Sequence, residues 1–404
     1  MNTLERRATS GLALIFGLRM FGLFLVLPIF SLYGMELGGA TPLLVGLAIG
    51  IYGLTQALLQ VPMGLASDRY GRKPIILAGL LVFVVGSVVA ALSDHILGVI
   101  VGRALQGAGA IAAAVLALAA DLSRPERRTR VMAFIGMSVG GAFLLALVAG
   151  PVIAAGFGLS AVFWVTALLA LLAIAVLYLI VPDADHSARQ RETLPAAGQL
   201  REVLGNADLR RLNVGIFTLH LALTAVFIAV PLVLRDQIGL PAERHWIVYV
   251  SVVLLSIGGL VPAILIGERY GMQRLVFRLA VAALFLAFTG LYLTGGGSWW
   301  FLLPFWLYFV AFNLLEATLP SLVSRYAPER FKGTALGVYA TSQFAGAFVG
   351  GVLGGLMLGL AGPPGVFLLC AALVMLWLLL ASGLGRIPER SAAVEDVAEG
   401  QTGA

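Results

Sequence analysis

The chain has 404 residues, 60% of them apolar and only 11% charged, against about 25% charged in an ordinary soluble domain. Its 20 acidic and 26 basic residues cannot supply a polar shell at this size, which excludes a water-soluble enzyme, a disordered chain and a disulfide-rich secreted domain. Cys370 is the single cysteine, and a net charge of +6 leaves nucleic acid open as a partner until the charges are placed.

A bilayer core about 30 Å thick needs about 20 apolar residues in one helix. Twelve stretches qualify: 10–34, 43–66, 74–93, 96–120, 130–155, 160–181, 211–235, 245–267, 274–294, 298–325, 331–359 and 363–385. Strand periodicity is absent, which argues against a β-barrel. The first stretch follows Arg6 and Arg7 but is too long for a signal peptide, carries Arg19 inside and lacks a convincing cleavage site. With a cytoplasmic N-terminus, the inward loops and the two termini collect 22 of the 26 basic residues, and the outward loops hold only Arg235 and Arg244. The expectation is an all-α multi-pass membrane protein with both termini cytoplasmic. The basic residues anchor helix ends, and no basic cluster is paired with aromatic residues for base stacking, so nucleic acid is not expected.

The polar stretch 182–210 divides the chain into two six-span halves, 1–181 and 211–385, with a tail at 386–404. The halves repeat one another. Asp68-Arg69-Tyr70-Gly71 answers to Glu268-Arg269-Tyr270-Gly271, Pro125-Glu126-Arg127 to Pro328-Glu329-Arg330, and Gly141-Ala142-Phe143 to Gly346-Ala347-Phe348.

Between the second and third spans, the run from Gly64 through Asp68, Arg69, Gly71, Arg72 and Lys73 resembles the signature loop of the major facilitator superfamily, G-x-x-x-D-[RK]-x-G-[RK]-[RK], at every defined position. Gly64 permits close helix approach, Gly71 a tight turn, and Asp68 can pair with Arg72. The resemblance implies twelve helices in two six-helix halves and a central small-molecule site reached by alternating access. It further implies a cytoplasmic latch in which Asp121 joins the pair and Asp68 faces the eleventh helix. Topology anchoring by positive charge is the alternative. The second-half copy has Met272 and Gln273 in place of Arg72 and Lys73, so a one-sided latch is expected.

Leu18-Arg19-Met20, Gly50 to Gln56, Gly102 to Gly107, Phe312 to Ala317 and Gly337 to Phe344 are similar to the YajR branch of that superfamily. This implies proton-driven drug efflux at the bacterial inner membrane. Some members of the branch carry a C-terminal ferredoxin-like domain. This chain stops about 19 residues past its last span, so that domain is expected to be absent.

An ionisable group at mid-bilayer costs at least about 2.5–3.5 kcal/mol. Four such groups lie on spans one, four, seven and ten, which line the cavity in this family: Arg19, Arg103, His220 and Glu316. For Arg103 the resemblance implies a role in proton transfer or in holding a partner carboxylate, and a structural arginine satisfied by backbone carbonyls is the alternative. Glu316, the only carboxylate well inside a span, is the first choice for proton carrier, with a fixed salt bridge to Arg19 as the rival. His220 titrates in the useful range or serves as a packing residue. Tyr52, Gln56, Gln60, Asn313, Tyr339 and Gln343 either orient a substrate or bond neighbouring helices.

Gly150-Pro151 sits in a partial match to the family's antiporter motif, with Ala146, Ala154 and Ala155 replacing glycines. No phosphate-binding loop, metal-ligand cluster or nucleophile–base pair is present, so no cofactor and no enzymatic activity are expected. The reading is a monomeric, proton-coupled exporter of hydrophobic or amphipathic compounds. A transporter of a defined metabolite, or a non-transporting membrane sensor, are the alternatives.

Overall fold

The computed structural model describes residues 3–124, 127–183, 197–295, 298–328 and 331–385. Among them the fold is helical, and the one extended pairing is an isolated bridge between Gly38 and His95. In the first half α1 (Thr3–Leu25) and the short α2 (Phe30–Tyr33) lead to α3 (Pro42–Tyr70), α4 (Arg72–Ala91), α5 (Ile96–Ala108), α6 (Ala112–Asp121) and α7 (Arg128–Leu179). After α8 (Ala197–Gly205) come α9 (Ala207–Leu232), α10 (His245–Arg269), α11 (Gln273–Thr294), α12 (Leu302–Tyr326) and α13 (Lys332–Ser382). Ten helical stretches among the described residues are long and apolar enough to cross a membrane.

Local chemistry sets several boundaries. Thr41 caps α3 by accepting from the Leu44 N–H at 3.2 Å, with Pro42 in the first turn. Asn206 caps α9 by accepting from the N–H groups of Asp208 and Leu209 at 2.9 and 3.1 Å. The expected fourth span is two helices, α5 and α6, separated by non-helical backbone at 109–111.

α7 has 52 residues and α13 has 51, about 75–80 Å of helix at about 1.5 Å per residue. Each is two helices joined at a kink, Gly158 (φ 78°, ψ 176°) in α7 and Gly362 (φ 64°, ψ −168°) in α13. The expected fifth and sixth spans lie in α7, and the eleventh and twelfth in α13.

The repeat read in the sequence recurs in the backbone. Positive φ occurs at Gly39 and Gly239, at Gly71 and Gly271, and at Gly158 and Gly362. Pro62 interrupts α3 where Pro262 interrupts α10. Of the sequence repeat, Pro125, Glu126, Glu329 and Arg330 lie outside the described residues, as do 184–196 of the linker and the tail 386–404. The described part of the linker carries α8, whose Gln199 accepts from the Thr334 hydroxyl at 3.3 Å.

The halves meet along a glycine seam between α3 and α13. A Cβ at Gly46 would lie 2.1 Å from the Gly351 carbonyl oxygen, and one at Gly53 would lie 2.5 Å from that of Phe344. These backbones touch because the glycines carry no side chain to hold them apart. The seam runs from Pro42 and Gly355 to Gly53 and Phe344, at the end of the molecule away from Asp68. Nearer Asp68, the Cβ positions of Gly333 and Gly337 have nothing within 4 Å, and Leu58 is 65% exposed. The apolar core shows the same division. One cluster draws its fully buried members from first-half residues 8–181, while the other packs Leu25, Phe30, Val45 and Ile49 with second-half residues. The structure is therefore closed between the halves at the far end and open at the Asp68 end.

Candidate transport site

In the first half a ring sits between two guanidinium groups. The Tyr52 ring centroid lies 5.8 Å from the guanidinium carbon of Arg19 and 5.2 Å from that of Arg103, and both arginines are almost fully buried. Arg19 donates to Gln56 Oε1 at 2.8 Å and to the Gly109 carbonyl at 3.0 Å. That carbonyl lies in the break between α5 and α6, where it has no helical N–H to accept from. The Phe83 ring covers Arg19 at 5.4 Å. Arg103 donates to Gln106 Oε1 at 2.8 Å and to the carbonyls of Ala48 and Ile49 at 3.3 and 3.5 Å. Gln106 in turn donates to the Ser87 hydroxyl at 2.8 Å. Tyr52 donates to Gln56 at 3.3 Å, and Gln56 to Gln60 at 3.5 Å. The rival pairing of Arg19 with Glu316 is not formed: both cations are held by amides, carbonyls and ring faces.

The second half holds a different set. His220 Nε2 lies 2.7 Å from the Gln343 side-chain amide and 3.9 Å from Glu316 Oε2. The Glu316 side chain is 39% exposed and that of His220 only 12%. Phe312 lies beside His220, with ring centroids 6.1 Å apart, and stacks on Tyr308. Asn313 donates to the Ser256 hydroxyl at 2.8 Å. The hydroxyls of Tyr308 and Tyr339 are buried without a hydrogen-bond partner in this structure.

Sequence order hides one correspondence. Phe16-Gly17-Leu18-Arg19 lines up with Phe217-Thr218-Leu219-His220, so Arg19 and His220 occupy the same place in the repeat. Gln56 and Ser256, which anchor Arg19 and Asn313, are also one repeat apart. Gln106, Ser87, Ser256 and the Gly109 carbonyl are the members that reading residue by residue did not single out. The 200-residue offset would have found Ser256.

The loop motif is assembled at the open end. Gly71, at φ 100°, ends α3 and starts α4 in a single residue, a conformation suited to glycine. This folds Arg72 back onto Asp68, and Arg72 Nε also donates to Asp121 at 3.1 Å. Ser67 accepts from Arg72 at 2.7 Å. Lys73 donates to the Val181 carbonyl at 2.7 Å and pairs with Asp183 at 2.7 Å, while Arg69 lies over the Tyr70 ring at 5.3 Å. Gly64 faces Ala113. Apart from Asp183 at the start of the linker, each of these partners belongs to the first half. In the second-half copy Met272 stands in place of Arg72, and Arg325 donates to Gln273 at 2.6 Å. Gly150 of the partial antiporter motif packs on its own half, its Cβ position 2.6 Å from the Leu25 carbonyl oxygen.

The model of the Major Facilitator Superfamily matches residues 12–351 and 213–402. The "Inner membrane transport protein YajR" of Escherichia coli is 49% identical over 384 residues, covering 95% of this chain and 84% of that protein. "Multidrug resistance protein 2" of Bacillus subtilis is 25% identical over 352 residues, covering 83% and 85%. Among solved structures, a bacterial homologue of the human lysosomal transporter Spinster, crystallised inward-facing and unoccupied, superposes with a TM-score of 0.73 at 14% identity. That match covers 97% of this chain and all of the other. The helical architecture and these matches agree: the chain is a transporter of the Major Facilitator Superfamily, not an enzyme.

Proposed function

We propose that the protein exports hydrophobic or amphipathic compounds in exchange for protons across a bacterial inner membrane. Twelve crossings, with α7 and α13 supplying two each, make two six-helix halves, residues 1–181 and 211–385, with both termini cytoplasmic. The names of the Escherichia coli and Bacillus subtilis relatives favour an inner-membrane exporter. The observation that carries the proton reading is Glu316. It is a mid-helix carboxylate whose nearest ionisable partner is the imidazole of His220 rather than a permanent cation. A carboxylate clamped by arginine keeps its charge through a cycle, whereas one beside an imidazole can gain and lose a proton.

In the structure's state, open at the Asp68 end, substrate enters from the cytoplasm. It contacts Tyr52, Gln56, Gln60, Asn313, Tyr339 and Gln343 while apolar walls cover its body. Arg19 and Arg103 keep the first-half wall positive. Glu316 loses its proton to the cytoplasm as substrate binds. The halves rock about the glycine seam, Asp68 meets the start of α13, and a proton from outside displaces the substrate. Reconstituted protein moving a lipophilic dye across liposomes tests this. Wild-type flux should rise with an imposed pH gradient, and Glu316→Gln should transport without responding to the gradient, while Arg103→Ala should lower flux at every gradient. Wild-type flux indifferent to the gradient overturns the antiport reading.

A further inference from the structure

At the Asp68 end the first turns of α1 and α7 flank a half-open cavity of about 470 Å³, outside the transport site. That size is within the range of about 300–1,000 Å³ for small-molecule sites. Arg6, Arg7 and Arg130 line it together with the Ser10 hydroxyl. The acid nearest in sequence, Glu5, is turned away and engaged by Arg124 at 2.8 and 3.2 Å. Among the described residues no carboxylate lines the cavity. Arg7 also donates to the Leu179 carbonyl at 3.5 Å, which ties its side chain to the end of α7. The cavity is not uniformly polar. Val131 and Phe134, one turn deeper along α7, form its apolar side, and Phe134 is 47% exposed.

Three cations at the level of helix ends match a phosphodiester, the Ser10 hydroxyl beside them donating to the Arg6 carbonyl at 2.8 Å. An apolar wall leading from there along a membrane helix matches an acyl chain, which a free phosphate does not have. We propose that this cavity binds the headgroup of an anionic phospholipid from the leaflet at the Asp68 end, with one chain lying along Phe134. Because its walls come from α1 and α7 of the first half, occupancy ties these two helices together at the open mouth of the transporter.

Native mass spectrometry of the full chain in detergent, titrated with phosphatidylglycerol, phosphatidylethanolamine or inorganic phosphate, tests the proposal. Wild type should retain phosphatidylglycerol in preference to phosphatidylethanolamine, and phosphate should not compete. The double variant Arg6→Gln/Arg130→Gln should lose affinity about thirtyfold, at about 1 kcal/mol per arginine. The control Arg201→Gln/Arg269→Gln, two basic residues away from the cavity, should bind as wild type. Equal retention by cavity variant and wild type overturns the proposal, as does equal loss in both doubles, which would mean diffuse charge. Competition by inorganic phosphate overturns the lipid assignment. Should the double variant fail to fold, Phe134→p-benzoylphenylalanine should crosslink phosphatidylglycerol on illumination, and failure to do so overturns the proposal.

Discussion

The first half holds two arginines mid-helix, whereas the second holds a histidine and a glutamate, on what is otherwise one repeated skeleton. The skeleton repeats down to its left-handed glycines, Gly39 with Gly239, Gly71 with Gly271 and Gly158 with Gly362. The backbone departs from the repeat at the break between α5 and α6, where the second half has the continuous α12, and the side chains set on it diverge further. Arg19 and His220 share a repeat position, yet one is a permanent cation held by Gln56 and a free carbonyl, and the other is an imidazole beside Gln343 and Glu316. At the loop the division runs the other way. The Arg72 ion pairs are in the first half, and at the corresponding loop of the second half, among the described residues, Arg325 donates to the neutral Gln273. The two halves share their turns, while the first carries the buried arginines and the ion-paired loop and the second carries the histidine–glutamate pair.

Because the seam needs backbone contact, its disruption should have the largest effect. Gly46→Leu or Gly351→Leu sets a side chain against backbone, so the far end cannot close. Dye flux should vanish, and cysteine-labelling at that end should rise while the protein still purifies as a monodisperse species. Next comes the exchange His220→Arg, which puts a permanent cation where the first half already tolerates one. It should abolish the response of flux to a pH gradient while leaving the melting temperature close to wild type. Arg103→Ala should destabilise the protein by about 1–3 kcal/mol in a reversible unfolding assay, since the Gln106 amide loses its partner inside the bundle. The smallest contrast is at the loops. Arg72→Ala removes contacts to Asp68, Asp121 and Ser67 and should slow transport measurably, whereas Gln273→Ala should cost no more than about 1 kcal/mol and leave transport unchanged.

Fold and loop motif were legible in sequence because hydropathy and glycine–charge spacing are local. The spans, the repeat and the residues around Asp68 could all be read within a few turns of helix. The break between α5 and α6 was not legible, since the partner that takes up the Gly109 carbonyl there, Arg19, is ninety residues away. Membership of the two polar clusters was half legible. Arg19, Arg103, His220 and Glu316 stood out by cost, but which of them pair depends on helix rotation. Rotation put Gln56 beside Arg19 and left His220 beside Glu316. Phe30, Phe227 and Phe309 are fully buried in the core.

If the halves divide fixed from titratable charge, then a mid-helix carboxyl must exchange its proton as pH changes. Infrared difference spectroscopy of the protein in lipid, stepped across about pH 5–8, observes that group without needing the substrate. A protonated-carboxyl band that changes with pH in wild type and disappears in Glu316→Gln is the predicted result. A wild-type spectrum without such a band, or a band unchanged in Glu316→Gln, would contradict the division of labour between the halves.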